Sequence, residues 1–189
     1  MCLKLHLIND ENLKIKNDKD LLKYDISNEK KIYQLSEEQN NAYKELSKYD
    51  SGFRVHLLQG TTGSGKTIVY FKAIEKILNI GSQALILLPE IGLTNEFEKK
   101  FKSYFGFEAA VWHSKVSPKK RKIIWNGLSS GRIKVAIGAR SSLFLPFKKL
   151  GLITVDEEHD QSYKQDEGII YNARDLSLIH ISEPTRHLL

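Results

Sequence analysis

From Leu35 onward, apolar and polar positions change period in a regular way, and the changes predict strands interleaved with helices. Ser36-Glu37-Glu38-Gln39 carries the spacing of a capping box, in which hydroxyl and amide satisfy each other's orphan backbone donors, so a helix is expected to about Lys48. Phe53 to Gln59 reads as a strand. Lys66 to Leu78 reads as a helix, with Val69, Phe71, Ala73, Ile74, Ile77 and Leu78 as its apolar positions. Gln83 to Leu88 is an unbroken apolar strand, followed by a helix over Asn95 to Tyr104 and a short strand at Ala109 to Trp112. Pro118 suits the first turn of a helix reaching Leu128. Lys134 to Gly138 and Leu152 to Val155 complete the strands. Strands alternating with helices imply an α/β fold, a parallel sheet with helices on both faces.

The two ends of the chain read differently. Residues 1–34 are polar and mixed in charge, with scattered Leu and Ile, and are expected to be a linker or the remnant of a preceding DNA-binding region. Residues 179–189 contain Pro184, which breaks a helix, and are expected to be a non-native or disordered tail. The central domain is therefore assigned to residues 35–178.

Composition narrows the class. The 189 residues are 41% hydrophobic and 28% charged, which fits a domain with one real core and excludes disorder as the overall state. No apolar run approaches the roughly 18 residues of a membrane span. The single cysteine, Cys2, can form neither an internal disulfide nor a zinc cluster, which points to a reducing, cytoplasmic setting. The net charge of +6 is unevenly placed. Between Ala109 and Val155 ten basic residues occur and no acidic one, so the other 19 basic residues face 23 acids elsewhere. One segment holds the positive excess, and a polyanion is its natural partner; a solvated helix face explains Lys119 to Lys122 equally well on their own.

Two short stretches carry chemistry. Gly60-Thr61-Thr62-Gly63-Ser64-Gly65-Lys66-Thr67 is a phosphate loop between a predicted strand and a predicted helix. Glycine lets the backbone N–H groups turn inward around an anion, and the helix adds the positive end of its dipole. Gly60, Thr62, Gly63, Ser64 and Gly65 would form the cradle. Lys66 would reach the β- and γ-phosphates of ATP, and the Thr67 hydroxyl would hold Mg²⁺. The second stretch is the apolar strand Leu152 to Val155 ending in Asp156-Glu157-Glu158-His159. Carboxylates there lie at the carboxyl edge of the sheet, where ligands of such folds bind. Asp156 is assigned to Mg²⁺, and Glu157 to orienting and deprotonating the attacking water.

With those residues in place, the chain resembles superfamily 2 helicases and translocases, whose phosphate loop is paired with Asp-Glu-x-His. More narrowly it is similar to the PriA family of replication-restart helicases (primosomal protein N′). The resemblance covers residues 35–178. It rests on Leu88-Pro89-Glu90-Ile91-Gly92-Leu93-Thr94, His113-Ser114, Gly138-Ala139-Arg140-Ser141, Asp156 to Asp160, Tyr163-Lys164-Gln165 and Tyr171-Asn172-Ala173-Arg174-Asp175-Leu176. It implies the first RecA-like, ATP-binding lobe of an ATP-dependent 3′→5′ DNA helicase acting in replication restart and primosome assembly. Single-stranded and forked DNA, replication-restart proteins and a second motor lobe would be its partners. The zinc module of the full-length family has no counterpart here, and Ala139 stands where the family commonly has Thr. Without the second lobe the chain is expected to bind ATP but not to run as a motor.

The resemblance also implies residue roles. Gln39 would read the adenine edge. Pro89, Glu90, Arg140 and Ser141 would contact the translocated strand, and Tyr163, Lys164, Tyr171 and Arg174 would belong to a loop coupling strand binding to hydrolysis. His159 would be a hydrogen-bond link between motifs. Chemistry independently supports a phosphate contact at Arg140 and base stacking beside cations at Tyr163 and Tyr171. The tyrosines suit packing a loop onto the sheet as well, and Arg174 suits pairing with Asp175 or Asp156. Two other readings share these motifs: a lobe of another superfamily 2 DNA translocase, and a catalytically inert nucleic-acid-binding module.

Overall fold

Strand β1 (Cys2–His6) is where the structure, a computed structural model describing residues 2–6, 33–48, 54–165 and 171–182, first departs from the expected linker. The sequence there alternates, with Leu3 and Leu5 separated by Lys4, and two edges accept it. β1 pairs antiparallel with β2 (His56–Gln59) on one side and with β6 (Leu150–Val155) on the other. The remaining strands of this sheet are β3 (Gln83–Leu87), β4 (Ala110–Trp112) and β5 (Val135–Gly138), and the order across it is β2-β1-β6-β3-β5-β4. β6, β3, β5 and β4 are mutually parallel. β2 runs in their direction too, since it is antiparallel to β1. All these strands but β1 thus end at one rim.

The helices begin where the sequence places them. α1 (Glu37–Ser47) carries the expected capping box, with Ser36 Oγ accepting from Gln39 N and Gln39 Oε1 accepting from Ser36 N. α2 (Lys66–Asn79) starts at Gly65, α3 (Asn95–Phe105) at the Thr94 cap and α4 (Pro118–Ser129) at the Ser117 cap. Two cores sandwich the sheet. On one face Val69, Phe71 and Ile74 of α2 pack with Phe101 and Phe105 of α3 against Ala84, Ile86 and Ile137. Phe71, fully buried, has its ring within 5.9 Å of those of Phe97, Phe101, Tyr104 and Phe105. On the other face Ile124 and Leu128 of α4 pack with Leu143, Tyr163 and Ala173 against Leu85, Leu87 and Ile153. A domain of two helical layers around a sheet, the expected architecture, follows from those opposed apolar faces.

Far from the rim, the buried Gln83 closes the polar account of three segments at once. Its amide donates to Leu128 O and Ile133 O at 3.0 and 2.6 Å and accepts from Lys149 N at 2.8 Å. After β6 the chain turns through Asp156–His159 into a small hairpin, β7 (Lys164–Gln165) with β8 (Tyr171–Asn172), and then α5 (Ala173–Ser182). α5 runs past the expected boundary at residue 178, because Leu178 to Ser182 hold no helix breaker ahead of Pro184. Residues 7–32 and 183–189, parts of the expected linker and tail, lie outside the described residues, as does Phe53 of the expected strand. Among the described residues no helix is long and apolar enough to cross a membrane.

Candidate functional site

The phosphate loop leaves the carboxyl end of β2 and enters α2 through two left-handed glycines, Gly63 at φ 82° and Gly65 at φ 80°. Gly65 is doubly constrained, since a Cβ there would lie 2.3 Å from Gln39 Nε2. The loop is exposed at Thr61 to Ser64, half-buried from Gly65 to Ile68. Lys66 folds back over it, donating to Gly60 O at 2.6 Å and Thr61 O at 2.7 Å. The two carbonyls are neutral and bring no opposing charge, so an anion entering the loop meets a cation already poised above it.

Asp156 faces the loop from the end of β6. The hydroxyl of Tyr70, a fully buried residue of α2, donates to Asp156 Oδ2 at 3.2 Å, and Glu157 N donates to Oδ1 at 3.0 Å. Burial raises the Asp156 carboxyl above its usual range, while those two donors and the Lys66 and Lys100 charges pull it back down. Burial, then the Asp156 charge, pushes the Tyr70 phenol well up, which keeps it a neutral donor. Its hydroxyl also contacts the Thr67 side chain. Lys66, Thr67, Tyr70 and Asp156 therefore form one constellation across two strands' ends. Tyr70 escaped the reading of the sequence, although its place one turn beyond Lys66 and Thr67 puts it on their side of the helix.

The backbone around Asp156 is locked from the opposite face. Asp156 N donates to Leu87 O at 3.0 Å, and Tyr163 Oη donates to Leu87 O at 3.1 Å and Asp156 O at 2.6 Å. Glu157 has φ 49°, the one left-handed non-glycine among the described residues. Such backbone costs about 1 kcal/mol or more and persists where its surroundings fix it, here the Asp160 N to Glu157 O turn and the Tyr163 clamp.

Several assigned roles need correction. Tyr163 is 1% exposed with its hydroxyl engaged, so it packs its loop onto the sheet and offers no ring to a base. Pro89 is buried as well, leaving Glu90 exposed beside it. Gln39 commits part of its amide to the protein: Oε1 completes the cap of α1, while Nε2 donates to Ser64 O at 3.0 Å. It braces the phosphate loop, and these bonds leave one N–H and one lone pair of the amide for a base edge. His159 is exposed and makes no hydrogen bond among the described residues, because the turn after Asp156 carries it outward.

Arg140 and Arg174 also work inside the protein. Arg140 Nη1 donates to Ser162 O and Lys164 O at 3.3 and 2.6 Å, tying the end of β5 to the hairpin. Arg174 bridges Asp175 at 3.0 Å and Glu158 at 3.3 Å, and Asp156 is not its partner. Tyr171 meets Phe144 edge-on at 5.5 Å. Ser141 and Lys164 are exposed at the same rim. Ala139 is 5% exposed, so a Thr hydroxyl at that position would point into protein rather than toward a strand.

The residues fit a magnesium-bound nucleoside triphosphate. Mg²⁺ is an ion held by one or two protein oxygens together with phosphates and water. Thr67 and Asp156 are the oxygens available.

Comparison with known proteins bears on the same residues. The DEAD/DEAH box helicase family matches residues 36–188. The chain is 46% identical over 172 residues to the replication restart protein PriA of Rickettsia felis, covering 91% of this chain and 25% of that protein. It is 46% identical over 145 residues to the protein of that name from Haemophilus influenzae, covering 77% and 20%. For the one from Bacillus subtilis the figures are 41% over 146 residues, 76% and 18%. The chain thus spans a quarter or less of the length of these relatives.

Proposed function

The chain belongs to the DEAD/DEAH box helicase family, and from that premise we propose that it is the ATP-binding lobe of a replication-restart DNA helicase of the PriA kind, working in the cytoplasm. The observation that carries the reading is the Tyr70–Asp156 hydrogen bond, which joins the helix of the phosphate loop to the acid at the end of β6. Backbone amides of residues 60–66 and the Lys66 ammonium would bind the β- and γ-phosphates of ATP. Thr67 and Asp156 would hold Mg²⁺, which when bound neutralises charge developing on the phosphates. Glu157, set in its left-handed turn next to Asp156, would orient the water. Single-stranded DNA would cross the rim past Glu90, Ser141 and Lys164. There it would reach the backbone that Arg140 ties together, so a strand pressing on Ser141 or Lys164 would move the turn carrying Asp156. Unwinding, its 3′→5′ polarity, forked DNA and restart partners belong to the full length of such proteins.

Calorimetry of the chain with ATP and Mg²⁺ tests the reading. Binding that Lys66→Ala weakens about a hundredfold is the expected outcome. A folded chain that takes up no adenine nucleotide would refute the motor assignment. A lobe of another superfamily 2 translocase would bind ATP equally, and fork-directed unwinding by a protein carrying this lobe separates the two.

A further inference from the structure

The basic excess of residues 109–155 is concentrated at the first turns of α4, on the half of the sheet away from the nucleotide. Lys115, Lys119 and Lys122 are exposed, and among the described residues none makes an ion pair or a hydrogen bond through its side chain. A surface lysine is ordinarily only a solvated charge. Two further observations set these apart.

The first is Trp125, one turn beyond Lys122 on the same side of α4 and 47% exposed, a large aromatic that the second core leaves uncovered. Lys122 at i and Trp125 at i+3 are neighbours on the helix surface, so a cation and an open ring are available to one ligand. The second is the rigidity of the platform. Arg121 donates to Ser114 O at 2.8 Å and lies 5.4 Å over the Trp112 ring, which fixes the β4–α4 loop to the helix. Trp112 in turn is paired with Gly138, where a Cβ would come within 2.6 Å of Trp112 O. The loop 138–141 and the start of α4 are thus adjacent parts of one rim. Lysines without acid partners beside an open ring on fixed backbone suit a single strand, whose phosphates take the cations and whose unstacked base takes the ring.

We propose that α4 carries a second contact for single-stranded DNA, in which Trp125 stacks on a base while Lys119 and Lys122 bind flanking phosphates, extending the path beyond Ser141 and away from ATP. The proposal rests on the reading of the chain as a DNA-helicase lobe, and its test separates the two. Anisotropy of fluorescein-labelled oligothymidylate is titrated with the 189-residue chain at several salt concentrations. Trp125→Ala should weaken binding about tenfold, and Trp125→Phe should retain most of the affinity. The pair Lys119→Gln and Lys122→Gln should lower the slope of log affinity against log salt by about 1.4, the value for two lost single-strand phosphate contacts. All of these side chains are exposed, so the fold is spared. Ser141→Glu serves as the control on the rim. If it weakens binding while the α4 variants match the parent in affinity and slope, the α4 contact is refuted and the helicase reading stands. If the parent itself binds no oligothymidylate, the DNA half of the reading falls with it.

Discussion

The phosphate loop and the turn after β6 face each other across the candidate site, yet they are built on opposite plans. Thr61 to Ser64 are exposed, the loop's shape comes from left-handed glycines, and the Lys66 ammonium is satisfied by carbonyls five and six residues away. Asp156 is held by Tyr70, Leu87 and Tyr163, residues that reach it from α2, β3 and the start of the hairpin. The first region is a local device whose side chains are free to meet a ligand. The second is a tertiary one whose side chains are spent on holding a single carboxylate in place. Substitutions should therefore divide: those in the loop and of the Asp156 carboxylate itself cost binding and spare the fold, and those of the residues that hold Asp156 cost the fold first.

The largest effect is expected at Tyr163. Its ring is a buried part of the second core and its hydroxyl serves two carbonyls, so Tyr163→Ala should lower unfolding free energy by about 4 kcal/mol in a denaturant titration. Tyr163→Phe should cost only about 1 kcal/mol, the share of the hydroxyl. Next comes Lys66→Ala. Losing one charge-assisted contact to phosphate is worth about 2 to 3 kcal/mol, hence about a hundredfold in ATP affinity by calorimetry. The same change should move stability by less than about 1 kcal/mol, because the carbonyls it frees are near solvent. A Lys66→Ala chain that unfolds as readily as Tyr163→Ala would break the division.

Asp156 sharpens it with pH. Its folded carboxyl titrates above the usual range because burial outweighs its donors, so the unfolded chain gives up the proton first. Stability from this group is present below the ordinary carboxylate value, about pH 4, and falls as pH rises through the elevated folded value. Asp156→Asn should remove that decline and leave the nucleotide-free protein more stable at neutral pH, with metal-dependent ATP binding lost. Thermal melts across the acid range would show it. Asp160 has the reverse sign, since hydrogen bonds from Ser162 hold its carboxyl down, and it contributes stability that is lost as pH falls.

The same contrast decides what could be read in the chain beforehand. Most of the loop was legible, because its glycines, Lys66 and Thr67 lie within residues 60–67, whereas the brace from Gln39 to Ser64 O spans 25 residues and was not. The capping box at Ser36 and the apolar face of α2 were legible because their patterns are local too. Around Asp156 only the acid itself could be seen. Tyr70 and Tyr163 lie 86 and 7 residues from it, and their roles depend on how α2 and the hairpin dock, which no local pattern encodes. Tyrosine beside lysine spells a base-stacking site and a buried clamp with the same letters; burial alone tells them apart. β1 was missed because five alternating residues without turn signals carry too little pattern, and the pairing that holds them comes from β2 and β6.

Arg174 marks where the clamp ends, and it carries the smallest expected effect. Its guanidinium reaches Glu158, two residues past Asp156, and Asp175 beside it, and the side chain is 36% exposed. Ion pairs at that exposure are worth about 0 to 1 kcal/mol, since water already solvates both partners. Arg174→Ala should therefore shift a urea midpoint only slightly at low salt, and the difference from the parent should shrink further as salt screens the pair. Should it instead destabilise the protein as Tyr163→Ala does, at any salt, then α5 belongs to the clamp and the buried device extends through the hairpin to residue 174. The outcome expected here confines it to the Tyr70–Asp156–Tyr163 line, with Arg174 a surface tie between the turn and the first residues of α5.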